Sequence, residues 1–311
     1  MKKHPRILLA IDGSDRSFAA ARYLGQVISK QSEIVLFHVM VEAPEAFRDL
    51  GTDPLTEMEN YPITVWKTHQ EETIREFMAV ACDILVSCGF AKEAISVKTR
   101  AMQTGVVRDI LRESQQDYSA LVVGRTGISK IEGITLGSVA AKLVEGISHL
   151  PVVVVGERPD SPKILIALDG SKGSLKAVRC VAALFDPAAC EILLCHVIRP
   201  LSNQQLSSKE LFIPKHEADW IEANQRKIVP VIHEASRRLM DAGFAPASLS
   251  SEILTYQKSR AAALARAARD GGCDTIVLGR RGLTSVENFM IGRVSRKILH
   301  FAYQPALWIV N

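Results

Sequence analysis

Apolar residues in this chain come in short unbroken blocks, separated by longer stretches in which they recur every three or four positions. ILLAI at 7–11, ALVV at 120–123 and PVVVV at 151–155 show no alternation with polar residues. That is the pattern of strands buried on both faces. Amphipathic stretches near 15–30, 64–88, 104–116 and 138–147 read as helices. Segments 6–12, 34–40, 94–101, 120–124 and 151–155 read as five strands, with a loop of about twenty residues after the second. Strands alternating with helices predict a parallel sheet between two helical layers, wound by right-handed crossovers.

The same order then runs a second time. RILLAIDGSDRSFAAARYL at 6–24 returns as KILIALDGSKGSLKAVRCV at 163–181, and EIVLFHVM at 33–40 returns as EILLCHVI at 191–198. ALVVGRTGISKIEGITLGSVAAKLV at 120–144 returns as TIVLGRRGLTSVENFMIGRVSRKIL at 275–299. Repetition at this scale marks a duplicated unit. We expect two α/β domains, 1–157 and 163–311, joined by the polar, proline-bearing ERPDSP at 157–162. Each is a doubly wound sheet of five parallel strands. The fifth strands, PVVVV and PALWIV, would be edges, and unpaired edges invite pairing. Joining them inside one chain would make a pseudo-twofold unit.

Composition changes this picture little. With 47% hydrophobic and 23% charged residues over 311 positions, the chain can fill two cores. A net charge of +4, spread along the sequence, gives no footprint for nucleic acid or a membrane surface. The six cysteines, at 82, 88, 180, 190, 195 and 273, lie in apolar segments and form no C-x-x-C pair, which reads as structural thiols in a reducing compartment. MKKHPRILLAIDGS is broken by Asp12 after five apolar residues, so it reads as a first strand and not as a signal peptide. No apolar run approaches the ~20 residues of a spanning helix. The expected location is the cytoplasm.

In such folds ligands bind beyond the carboxyl ends of the strands, where strand order reverses. Asp12-Gly13-Ser14, His38-Val39 and the loop GRTGISKIEGITLGS at 124–138 all fall there. The glycines of that loop admit two explanations. Either the chain turns and packs tightly at those points, or bare backbone N–H groups are kept open for an anion, aided by the helix that starts behind Gly137-Ser138. Asp12 and Asp169 likewise read either as helix-entry residues or as acceptors for sugar hydroxyls. His38 and His196 read as core histidines with satisfied ring nitrogens. Arg280 and Arg281 read as solvated, with a phosphate partner as the other option. The loops at 41–61 and 199–215, with Phe47, Leu50, Leu211 and Phe212, offer cover for an apolar ligand.

The spacing G-x2-G-x9-G-[ST], with an IDGS-type first strand and an HV second strand, resembles the ATP-binding branch of the universal stress protein family over essentially the whole chain. The resemblance implies an adenine nucleotide alpha hydrolase-like fold in two copies, paired through the fifth strands. It implies ATP, ADP or AMP as the ligand, with or without magnesium. Carried over residue by residue, it points to Asp12, Val39, Gly124, Gly127, Gly137, Ser138 and Val139 in the first half. In the second it points to Asp169, Val197, Gly279, Gly282 and Gly292. There Arg293 replaces the family's Ser/Thr, with Ser295 two residues on, so a weaker or degenerate second site is expected. No metal cluster, nucleophile elbow or acid/base pair stands out, which favours a stress-response nucleotide binder over a catalyst. A nucleotide-free dimerisation scaffold and a slow ATP hydrolase are the competing readings. A homodimer of two such chains is compatible with either.

Overall fold

The computed structural model describes residues 4–41, 61–127, 136–156, 160–201, 214–282, 291–301 and 305–311. The first half runs β1 (Arg6–Ala10), α1 (Asp15–Val27), β2 (Glu33–Met40), α2 (Tyr61–Ser87), β3 (Ile95–Ala101), α3 (Val106–Ser114), β4 (Ala120–Gly124), α4 (Ser138–Gly146) and β5 (Val152–Val155). The second repeats it as β6 (Lys163–Ala167), α5 (Lys172–Leu184), β7 (Glu191–Val197), α6 (Pro214–Asp241), β8 (Leu249–Leu254), α7 (Arg260–Asp270), β9 (Thr275–Gly279), α8 (Arg293–Leu299) and β10 (Ala306–Val310). Helix α3 is shorter than its apolar period suggests. Asp109 folds back to accept the N–H groups of Gln103 and Thr104 at 2.8 and 3.3 Å, which makes those residues an entry turn.

Among the described residues, ten strands form one sheet in the order β3-β2-β1-β4-β5-β10-β9-β6-β7-β8. The fifth strands pair as expected. Leu307, Trp308 and Ile309 lie opposite Val154, Val153 and Val152 in the sheet's antiparallel pairing, whereas the other neighbours run parallel. Alternate residues feed two cores. Ile7, Leu9, Val122 and Val153 pack on the side of α1, α2, α5 and α6. Leu8, Leu121, Val123 and Val152 pack on the side of α3, α4, α7 and α8. Each core crosses from one half into the other without a break, so the halves share their interior.

Polar groups fix how the halves dock. Trp308 is fully buried, with its ring 4.8 Å from that of Phe185. Its Nε1 donates to the Tyr23 hydroxyl at 2.7 Å, and that hydroxyl also pairs with Thr275 Oγ1 at 3.0 Å. The ends of α1 and α5 are stitched together by Ser29 N–H to Leu184 O at 3.0 Å and Asp186 N–H to Val27 O at 2.9 Å. At the seam between the halves, Asp274 Oδ2 accepts the N–H groups of Asp160 and Ser161 at 2.9 and 2.8 Å.

One hydroxyl thus serves partners from two strands of the opposite half in a dry interior. Tyr23→Phe removes it without opening a cavity and strands the indole N–H and the threonine hydroxyl. We expect a loss of about 1–3 kcal/mol, read from urea unfolding of the whole chain, with an unaltered far-UV spectrum.

Candidate functional site

Strand order reverses between β1 and β4, and between β6 and β9. The reversal opens a crevice at the carboxyl ends of those strands in each half. At the first crevice, Asp12 Oδ1 accepts the Ser14 N–H at 3.0 Å and the Ser14 hydroxyl at 2.6 Å. Ser14 Oγ in turn caps α1 by accepting the Ser17 N–H at 3.2 Å. Asp169 and Ser171 repeat this turn, at 2.9 Å for the Ser171 N–H and 3.1 Å from Ser174 N–H to Ser171 Oγ. Gly13 and Gly170 bend the chain there at φ of +80° and +76°. One oxygen of each carboxylate therefore does the helix-entry work that the sequence allowed for.

The other oxygen faces the glycine loop. A Cβ built on Gly127 would lie 2.8 Å from Asp12 Oδ2, and one on Gly282 would lie 2.6 Å from Asp169 Oδ2. Two stretches more than a hundred residues apart meet at this contact in both halves. The remaining glycines serve other ends. A side chain on Gly124 would strike the Arg16 backbone at 3.0 Å, and one on Gly279 the Gly173 backbone at 2.5 Å, so these two let the strand end touch the first helix. Gly137 donates its N–H to Arg125 O at 2.8 Å, as Gly292 does to Arg280 O at 2.8 Å, and both close the loop upon itself.

Gly137 is the N-cap of α4 and brings no side-chain cap. Ser138 and Val139 follow as its first two helical residues, both exposed. N–H groups in this first turn have no acceptor within the helix. Ser138 is thus the first helical residue and not the cap. In the second half Arg293 takes the same exposed position, while Ser295 is buried and donates its hydroxyl to Gly279 O at 3.3 Å. Val39 and Val197 are each 4% exposed, with their side chains in the core. What they can offer a ligand is backbone. Phe47, Leu50, Leu211 and Phe212 lie outside the described residues.

His38 Nδ1 sits 2.7 Å from Ile11 O, and His196 Nδ1 sits 2.6 Å from Leu168 O. A carbonyl only accepts, so Nδ1 carries the proton in both rings. Each imidazole pins the residue immediately before the crevice aspartate. Burial pushes both groups below the ordinary imidazole value, outweighing the upward pull of those hydrogen bonds and of Asp12 or Asp169.

Arg280 corrects the sequence reading. It is 5% exposed, and its Nη2 donates to Val144 O at 2.6 Å and Glu145 O at 3.2 Å in the other half. Arg125 mirrors it, fully buried, donating to Leu299 O. Each guanidinium leaves its own glycine loop and caps the carbonyl end of the helix behind the opposite loop, where a cation suits the helix dipole. Burial brings Arg125 down to about 10. Repetition of "GR" at 124–125 and 279–280 was the available signal, but only the β5–β10 pairing shows what those arginines reach. Arg281 is exposed, as expected. Two further cations went unremarked in the sequence, Arg199 beyond β7 and Arg260 at the start of α7, both electrostatic neighbours of each other at the second crevice.

A model described as the universal stress protein family matches residues 4–156 and again 161–309. The universal stress protein YxiE of Bacillus subtilis is 26% identical over 148 residues, covering 47% of this chain and 96% of that protein. The universal stress protein Rv2005c of Mycobacterium tuberculosis is 24% identical over 327 aligned positions, covering 98% of this chain and 97% of its own. A crystal structure of a universal stress protein from Archaeoglobus fulgidus superposes with a TM-score of 0.60 at 20% identity, covering 98% of both chains.

The half-buried histidines give the fold a pH dependence of definite sign. Unfolded imidazoles take up protons near pH 6.5, whereas the folded ones resist until lower pH. Their stabilisation is complete above about pH 6.5 and drains away as pH falls from there through the depressed folded values. The urea midpoint should therefore drop on going from about pH 7.5 to about pH 5.5. The double variant His38→Gln with His196→Gln, which can still donate to both carbonyls, should show a flatter slope.

Proposed function

The chain belongs to the universal stress protein family, and from that premise we propose that it binds an adenine nucleotide, ATP, ADP or AMP, at the glycine loop of its first half. Its role is regulatory and not catalytic. The observation that carries this reading is the approach of Asp12 Oδ2 to Gly127, beside the uncapped start of α4. A loop kept free of side chains beside a carboxylate fits a ligand with both phosphate and sugar hydroxyls. Phosphate oxygens go to the N–H groups around Gly127, Ser138 and Val139 and to the Ser138 hydroxyl. The Gly137 N–H is spent on Arg125 O, so Gly137 acts by closing the loop, and Gly124 by letting β4 meet α1. Asp12 accepts from the ribose, and the backbone at Val39 meets the base.

We take the halves as 1–157 and 163–311. The second crevice, with Asp169, Val197, Gly279, Gly282 and Gly292, is the weaker one for the same nucleotide. Arg293 stands where the first half has Ser138, and the Ser295 hydroxyl is engaged by Gly279. Magnesium that accompanies ATP is held chiefly by the phosphate oxygens and water. Bound nucleotide supplies binding free energy, about −8 kcal/mol for a micromolar site, enough to bias a conformational or assembly equilibrium. All six cysteines are unpaired, which supports a reducing compartment, the cytoplasm.

Mass spectrometry of the purified chain should find adenine nucleotide at about one per chain, and calorimetry with ATP should show one tight site. Gly127→Val, which places carbon against Asp12 Oδ2, should weaken that site at least tenfold while the chain stays folded by circular dichroism. A chain that carries no nucleotide and takes up none from excess ATP would leave only the scaffold reading. Steady phosphate release on adding ATP and magnesium would favour the hydrolase.

A further inference from the structure

The two halves also differ beneath the helix that covers each outermost strand. Strand register sets Lys98 of β3 against Glu252 of β8, and Arg100 against Leu254. Helices α3 and α7 open at Val106 and Arg260. Counting from there, Asp109 stands against Ala263, Arg112 against Arg266, Glu113 against Ala267 and Gln116 against Asp270.

In the first half, two carboxylates occupy the space under α3. Asp109 and Glu113 are both fully buried. Glu113 Oε1 accepts Lys98 Nζ at 2.8 Å and the Tyr118 hydroxyl at 2.7 Å. Its Oε2 accepts Gln116 Nε2 at 3.3 Å and lies 3.4 Å from Arg100 Nη2. Asp109 Oδ1 lies 3.5 Å from Arg112 Nη1. Each acid there meets a cation of its own half.

In the second half both acids have become alanine, and a cavity of about 320 Å³ lies against them. Leu193, Leu254, Ala263 and Ala267 give it apolar walls, while Glu252, Arg266 and Asp270 line it as exposed residues. Around the Glu113 position the polarity is inverted. The donors Lys98 and Gln116 have become the acceptors Glu252 and Asp270, and Arg100 has become Leu254. Groups that held a carboxylate now suit an ammonium. At the Asp109 position the guanidinium is kept as Arg266 and its carboxylate is gone, so an incoming carboxylate would complete the pair. Asp270 Oδ1 also lies 3.5 Å from Arg269 Nε, but a pair between exposed groups contributes little. Ala263 and Ala267 stand one helical turn apart, about 5–6 Å between their Cβ atoms. That is the separation the two ligand charges must span.

We propose that this cavity binds a short zwitterion, an unbranched amino acid with its two charged groups at opposite ends. The ammonium sits between Glu252 and Asp270, the carboxylate meets Arg266, and the methylenes lie on the leucines and alanines. The inference does not depend on the nucleotide reading. It gives the second half a site built on β8 and α7 and not on the glycine loop.

The probe is γ-aminobutyrate, with butyrate and butylamine as the same carbon chain lacking one charge. Calorimetric titration of the full chain should show one γ-aminobutyrate bound, roughly tenfold more tightly than either. Glu252→Gln with Asp270→Asn should erase the advantage over butyrate, and Arg266→Gln the advantage over butylamine. These exposed positions leave the fold intact. Glu252→Lys with Ala267→Glu rebuilds the pair seen at Lys98 and Glu113, and it should abolish binding with the circular dichroism spectrum unchanged. ATP binding should be the same in every variant. If γ-aminobutyrate does not bind at millimolar concentration, or binds no better than butyrate or butylamine, the inference is wrong and the nucleotide reading is untouched. Undiminished binding to the Glu252→Lys, Ala267→Glu variant would place the ligand elsewhere and overturn it too. Tighter binding of the diamine of the same chain length would overturn the part given to Arg266.

Discussion

The antiparallel contact between β5 and β10 is the interaction on which the rest depends. Val152 to Val155 are fully buried, and so are Leu307, Trp308 and Ile309. Backbone groups buried at that depth must find partners, because each hydrogen bond left unmade away from water costs about 1–3 kcal/mol. Each fifth strand supplies the other's. Closing the sheet this way joins two cores into one interior and sets the pseudo-twofold relation that carries α4 and α8 to within reach of arginines from the opposite loops.

Those arginines give the crevices a shared frame. Helix α4 begins at the first glycine loop, and its carbonyl end is held by Arg280, which leaves the second loop. Helix α8 begins at the second loop and ends on Arg125 from the first. Buried guanidiniums are costly to desolvate, and here the carbonyl ends of two helices compensate them. The same loops therefore make two contacts at once, capping across the interface and approaching Asp12 or Asp169 at the crevice. Gly124 and Gly279, next to the arginines, let each strand end touch the first helix of its own half.

Duplication preserved the scaffold and let the crevices diverge. Asp12 and Asp169 make the same turn, the same contact with a glycine and the same relation to a histidine. Their surroundings differ. Arg199 and Arg260 of the second half stand where the first has Val41 and Val106, and Arg293 stands where it has Ser138. A framework that holds strand ends rigidly tolerates such changes, because residues beyond the strand ends contribute little to the core.

Much of this was legible in the residues alone. Unbroken apolar runs and helical periodicity announced five strands and their helices twice over, because burial on both faces leaves no room for polar alternation. The repeated DGS, HV and glycine-loop segments pointed to the crevice, since those residues fall where strands end. Pairing of the fifth strands followed from their apolar character as edges. What the residues could not disclose was which glycine serves which purpose. Gly124 answers to Arg16, Gly127 to Asp12 and Gly137 to Arg125, and only the packed chain decides those neighbours. Arg280 looked like a solvated loop residue because its acceptors, Val144 and Glu145, lie about 135 positions away. Local sequence reports propensity and periodicity. Contacts between distant segments are set by how the whole sheet closes, and that is a property of the tertiary structure.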